Sequence, residues 1–203
     1  MKGIDVSCHN GFVDWIAVKE AGIDFAICRT GYGKGHMDNS FKSNVNAAQS
    51  VGLKVGAYHY SYALTAADAI KEALLCKEII DNSGVLLELP VFFDMEDADK
   101  YKIHHGFDFR CRNITNICKT FLMHIGLNAG VYSSLSWFES YIDWRELVKE
   151  FNCPIWNAQW SNNDYLQGYM WQFTDNFIIN GEPFDANIIY DEKHKAGLNP
   201  WNA

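Results

Sequence analysis

The chain has 203 residues, 48% hydrophobic and 15% aromatic, which is enough to bury a sizeable core in one folded unit and excludes disorder. Its formal net charge of −8 argues against nucleic acid and anionic membrane surfaces as partners, and no uncharged apolar run approaches the ~18 residues of a membrane span. Six scattered cysteines, Cys8, Cys28, Cys76, Cys111, Cys118 and Cys153, lack C-x-x-C or metal-ligand spacing, so free thiols in a reducing compartment are expected rather than disulfides.

From the start, Lys2 to Ser7 alternates as a strand, with Asp5 and Ser7 on one face and Ile4 and Val6 on the other. It begins at once, leaving no room for a signal peptide. Asp14 is a good N-cap for a helix from Trp15 to Ala21, closed by Gly22. Asp24 to Thr30 reads as the second strand, and Ser40 caps a helix that runs to Val51. Leu53 to Tyr62 gives a third strand with Gly56, Tyr58, Tyr60 and Tyr62 on one face, and Thr65 opens a long helix to Ile80.

The next stretch, Leu89-Pro90-Val91-Phe92-Phe93-Asp94-Met95-Glu96-Asp97, carries the most information. Its apolar half predicts a strand buried on both faces, as in a parallel sheet covered by helices. Alternation puts Phe92, Asp94 and Glu96 on one face and Val91, Phe93 and Met95 on the other, with the two acidic Cα atoms roughly 6.5 Å apart. Like charges at the end of a buried strand repel and lose hydration, which raises the pKa of at least one. The bland alternative is a strand running out into a solvated acidic turn.

Further on, Phe107 to Ile125 has helical periodicity, Asn128 to Ser134 is a fifth strand, and Leu135 to Phe151 is helical with a break near Asp143. After Cys153 three strand-like runs follow, Pro154 to Trp160, Tyr169 to Asp175 and Glu182 to Tyr190, with no helix long enough to cross between them. Five βα units and three strands total eight, the number that closes a barrel. The predicted fold is therefore an irregular TIM-like (β/α)5(β)3 barrel occupying 1–192 as a single catalytic domain. The polar stretch from Lys193 to Ala203 reads as a tail or the start of a linker.

Barrel chemistry belongs at the C-terminal ends of strands. Asp5 lies near the end of the first strand, Asp94 and Glu96 end the fourth, and Asp185 lies in the eighth, next to the first once the ring closes. Tyr58, Tyr60, Tyr62, Tyr132, Trp156, Trp160 and Trp171 gather at the same rim. Each aromatic alone reads more readily as core. Together with the acids they suit a sugar polymer, because aromatic rings pack on pyranose faces and carboxylates handle protons and hydroxyl groups.

Several pieces in order resemble one family, the glycoside hydrolase family 25 lysozymes, N-acetylmuramidases of phage endolysins and bacterial wall enzymes. They are Gly3-Ile4-Asp5-Val6-Ser7 with Asn10-Gly11 and Asp14-Trp15, Gly22-Ile23-Asp24-Phe25-Ala26, Val55-Gly56-Ala57-Tyr58-His59-Tyr60, and Pro90-Val91 with Asp94-x-Glu96. Gly130-Val131-Tyr132-Ser133, Trp171-Gln172-Phe173 and Phe184-Asp185-x-Asn187 complete the set. The resemblance implies hydrolysis of the β-1,4 bond between N-acetylmuramic acid and N-acetylglucosamine in bacterial peptidoglycan, without metal or organic cofactor. It makes Glu96 the catalytic acid, Asp94 its partner at the substrate acetamido group or the anomeric carbon, and Asp5 and Asp185 supporting acids. The expected sugar-contacting set is Tyr58, Tyr60, Tyr62, Tyr132, Trp156, Gln172 and Arg29.

Two positions depart from the family pattern. Gln159 stands after Trp156-Asn157-Ala158 where many relatives have tyrosine, and Arg29 stands where lysine is common, able to pair with a site carboxylate or to form a structural ion pair. Gly31-Tyr32-Gly33-Lys34-Gly35 lacks Walker spacing and reads as a loop at the barrel mouth. His9, His59, His104 and His105 have no zinc-ligand spacing, and His59 reads as a core or rim hydrogen-bonder. A barrel that binds glycan without cleaving it is the alternative. A wall substrate with no leader and free thiols fits synthesis in the cytoplasm and phage-lysin-like release to the wall. The acidic charge, unhelpful towards an anionic wall, suggests a wall-binding domain after Ala203.

Overall fold

The computed structural model describes residues 1–190. Residues 191–203, with the tail expected from Lys193 to Ala203 and the domain limit expected at 192, lie outside the described residues. Along the described chain run β1 (Lys2–Val6), α1 (Trp15–Glu20), β2 (Phe25–Tyr32), β3 (His36–Met37), α2 (Phe41–Ser50), β4 (Lys54–Tyr60) and α3 (Ala66–Ser83). Then come β5 (Val91–Asp94), α4 (Tyr101–His104), α5 (Cys111–Ile125), β6 (Ala129–Ser134), α6 (Leu135–Ser140), α7 (Trp144–Phe151), β7 (Ile155–Ala158), β8 (Met170–Ile179) and β9 (Glu182–Ile189).

The strands form one sheet in the order β1-β9-β8-β7-β6-β5-β4-β2-β3, and β1 also pairs with β2. The sheet is thus closed into an eight-stranded ring, with β3 hanging from β2. Neighbours are parallel from β1 through β2, β4, β5, β6 and β7 to β8, while β9 runs antiparallel to both β8 and β1. Helices follow the first five barrel strands and none separates the last three, which is the expected (β/α)5(β)3 arrangement.

The capping residues set the helix starts. Asp14, Thr65 and Asp143 each accept a main-chain N–H from the first turn of the helix they open. Asp143 is why the run from Leu135 to Phe151 breaks into α6 and α7. The helix expected from Phe107 starts later, at Cys111, because the Asp108 carboxylate takes the Arg110 N–H and holds 107–110 in a turn. The unpredicted α4 is seeded from outside itself: Asp97 accepts the N–H groups of Lys102 and Ile103 at 2.6 and 3.1 Å.

The third strand stops at Tyr60 rather than Tyr62, since the Tyr62 N–H turns to the Glu72 carboxylate at 2.9 Å. The stretch Gly31 to Gly35, expected as a plain loop, turns β2 back into β3. Gly31 is required there: a Cβ would lie 2.0 Å from the His36 carbonyl oxygen.

Two apolar layers result. One fills the space between barrel and helices and includes Ile4, Val6, Val91, Phe93 and Met95, with Phe93 stacked on Phe121 at 4.1 Å. The other plugs the barrel itself with Phe25, Ile27, Leu89, Phe92, Trp156, Met170 and Ile189. The strand alternation expected in β5 therefore holds, and it is what turns Asp94 towards the barrel mouth. All six cysteines are free thiols, with Cys28, Cys76, Cys118 and Cys153 buried.

Candidate active site

Ring closure sets Asp5 directly opposite Asp185 across the β1–β9 ladder. On the other side of the mouth Asp94 ends β5, opposite Tyr60 of β4 and Tyr132 of β6. Glu96 follows two residues later, and all four acids line one cleft of about 550 Å³. Arg29, Tyr58, Tyr60, Tyr132, Trp156 and Gln172 line it too, joined by Ser7, His9, Asn10, Trp160 and Phe184. Two expected rim residues stand apart. Tyr62, past the end of β4, gives its hydroxyl to Asp99 at 2.6 Å and stacks on Tyr101; Trp171 turns its indole N–H to the Gln159 carbonyl at 2.8 Å.

The acids fall into two kinds. Asp5 is tied down: its Oδ2 accepts from Gln172 at 3.0 Å and from Asn187 at 2.8 Å. Gln172 in turn accepts from Tyr132 and Trp160, and Asn187 accepts from Trp156 Nε1. This network fixes three aromatic rings around the cleft, Trp156 at its buried floor and Tyr132 and Trp160 along its wall. The Asp94–Glu96 pair is bare by contrast. Asp94 Oδ1 is buried with no hydrogen-bond partner, and the Glu96 carboxyl has none among the described residues.

Burial with few donors favours the neutral form of a carboxyl. It pushes Asp5 up to about 6, against the pull of Asn187 and Gln172. Asp185 rises to about 8 through burial and the nearby Asp5. Burial lifts Glu96 to about 7, and burial with the neighbouring Glu96 drives Asp94 well above the usual carboxylate range. Because the two carboxyls interact, they titrate together, and burial with their mutual repulsion favours a shared proton on the pair.

The remaining features are structural. His59 is fully buried, donates from Nε2 to the Gly33 carbonyl at 2.9 Å and pairs through Nδ1 with Thr30, and its burial holds it near 4. Among the described residues no group of three or more His, Cys, Asp or Glu is arranged to hold a metal ion. A larger depression of about 700 Å³ lies outside the barrel, against α5. Its Asp108 and Glu146 are exposed and bound to Arg110 and Lys119.

A family model described as glycosyl hydrolases family 25 matches residues 4–182. The chain belongs to that family. Similar proteins include the autolytic lysozyme of Clostridium acetobutylicum, 29% identical over 191 residues that cover 93% of this chain and 55% of that protein. The fold is shared with the modular autolysin LytC of Streptococcus pneumoniae, solved with a synthetic peptidoglycan ligand: TM-score 0.80, 24% identity, 93% of this chain and 46% of that one. The lysozyme of Streptomyces coelicolor superposes at TM-score 0.77 with 20% identity, over 96% of this chain and 94% of that one. The chain spans about half the length of the first of these relatives.

Against the family 25 pattern, both departures have a local explanation. Gln159 faces away from the cleft and knits its own loop, accepting the Tyr165 N–H at 3.0 Å; beside it Trp160, 61% exposed, supplies a ring to the cleft wall. Arg29 binds Asp38 at 2.9 Å, an acid outside the cleft. Asn187, Glu72 and Lys102 went unmarked as site residues. Asn187 carried a signal, since period two puts it on the same face of β9 as Asp185; Glu72 and Lys102 sit on helices and reach the site only through the tertiary fold.

Proposed function

We propose that this chain is a peptidoglycan-hydrolysing muramidase that cleaves the β-1,4 bond between N-acetylmuramic acid and N-acetylglucosamine, with Glu96 as general acid and Asp94 assisting. The observation that carries the reading is the Asp94–Glu96 pair at the foot of an aromatic-walled cleft, buried so that the neutral carboxyl is favoured and unencumbered by hydrogen bonds. A carboxyl held neutral near pH 7 is what protonation of a glycosidic oxygen requires.

The glycan lies across the mouth with pyranose faces on the exposed rings, and Glu96 passes its proton to the bridging oxygen as the bond from that oxygen to the anomeric carbon breaks. The leaving sugar departs as an alcohol. Positive charge grows on the anomeric carbon while the carboxyl pair, having lost a proton, becomes more negative, so acid catalysis and charge stabilisation rise together. Water then adds to the anomeric carbon and returns a proton to Glu96. Asp5, clamped by Gln172 and Asn187, and Asp185 hold the far side of the mouth. Among the described residues no helix is long and apolar enough to cross a membrane, and the substrate places the work at the cell wall.

Two measurements test this. Mass analysis of digested, purified peptidoglycan should find new reducing ends on N-acetylmuramic acid; reducing ends on N-acetylglucosamine, or none, would refute the bond assignment or the activity. Turnover should fall as pH rises through about 7, where Glu96 loses its proton; a rate that climbs through that range would remove Glu96 as the acid.

A further inference from the structure

Lys102 belongs to a single-turn helix near the surface, yet its side chain runs inward and is completely buried. Its ammonium donates to the main-chain carbonyl of Glu96 at 2.5 Å and to that of Ser61, just past β4. Taking an ammonium out of water is costly, and an apolar side chain of similar volume would pack there without that cost. The fold alone gives little reason for a lysine.

Its surroundings give one. Asp94, Asp97 and Glu96 face it from the end of β5 and the segment after it, Glu72 from α3, and Asp99 from the approach to α4. The Tyr60 ring of β4 stands 5.8 Å away and the Cys118 thiol of α5 lies within its field. The segment that carries Glu96 has neither strand nor helix. Met95 is fixed on one side, its N–H to the Tyr132 carbonyl and its own carbonyl to Ser133 Oγ at 2.6 Å. Asp97 is fixed on the other by the N–H groups of α4. Between these clamps the Glu96 carbonyl is held by the Lys102 ammonium.

We propose that Lys102 is a positioning residue for Glu96: it locks the backbone from which the acid side chain springs and places a positive charge behind the Asp94–Glu96 pair. The proposal rests on the reading of Glu96 as the proton donor. Geometrically, Lys102 ties that segment to the end of β4, so the proton donor and the Tyr60 wall keep one spacing. Electrostatically, the ammonium draws Asp94, Glu96 and Glu72 downward against the upward push of burial.

The test is Lys102→Met, and beside it Lys102→Met with Glu72→Gln, which removes the ammonium together with the α3 acid that faces it and keeps both side chains close to their original volume. Both are assayed on purified peptidoglycan as kcat and KM against pH, with circular dichroism as the check on folding. A folded variant should lose about tenfold or more in kcat with KM nearly unchanged, as misplacement of a reacting group does. Its alkaline limb should move to higher pH, because Glu96 without the cation keeps its proton longer. A folded double variant with wild-type kcat and an unmoved limb would overturn the proposal. So would failure of both variants to fold, which would make Lys102 a residue of stability alone. Wild-type protein that releases no muramic reducing ends would instead sink the underlying functional reading, before any variant is compared.

Discussion

Away from the mouth the barrel interior is packed with Phe25, Ile27, Phe92, Met170 and Ile189; at the mouth it holds Asp5, Asp94, Glu96 and Asp185. Phe92 and Asp94 are two residues apart on one face of β5, yet they do opposite work. The plug removes apolar surface from water and is tight enough that Gly3 and Gly130 must lack side chains, since a Cβ would lie 2.3 Å from Phe25 and 2.7 Å from Phe92. The mouth removes carboxyls from water with few donors in return. The stability of the closed ring below is what allows the unfavourable cluster above to persist, and that cluster is where the chemistry is.

The comparison can be broken from either end. Phe92→Ala, in the plug, should cost about 3–5 kcal/mol of unfolding free energy by denaturant titration; a loss under about 1 kcal/mol would mean the plug is not the support. Asn187→Ala, at the border between the halves, takes a donor from buried Asp5 and the acceptor from the Trp156 indole N–H, and should cost about 1–3 kcal/mol. At the mouth the sign should reverse. Asp185 is raised to about 8, so as pH climbs from about 4 the unfolded chain releases this proton first and the folded state is progressively disfavoured. Asp185→Asn should therefore be more stable than wild type at pH 8, by about 1 kcal/mol or more once discounted for water at the mouth, and level with it near pH 4. A gain that is largest at low pH would contradict the assignment. On the outer surface, away from both halves, Lys77→Ala breaks only the exposed pair with Asp81 and should change stability by less than about 0.5 kcal/mol.

What the sequence made legible was whatever has a period or a closure rule behind it. Alternation put Phe92 inside and Asp94 on the same face, and eight strands closed in a ring bring Asp5 to Asp185. What it hid depends on where a strand ends or on contacts between distant segments. Tyr62 shares the parity of Tyr58 and Tyr60 but follows the last residue of β4, where Glu72 captures its N–H, and so it leaves the cleft. Arg29 had two possible kinds of partner, and only the β2–β3 hairpin reveals Asp38. Lys102 looks like any polar residue of a short surface turn, and nothing local distinguishes it from its exposed neighbours.

The most direct test of the central claim is the turnover of Glu96→Gln on purified peptidoglycan, read as new reducing ends. With circular dichroism unchanged, the rate should fall on the order of a hundredfold or more, the usual scale for losing a general acid. A folded Glu96→Gln protein that clears walls within about threefold of the wild-type rate, too small a change for loss of that proton, would show that the bond is broken by some other group.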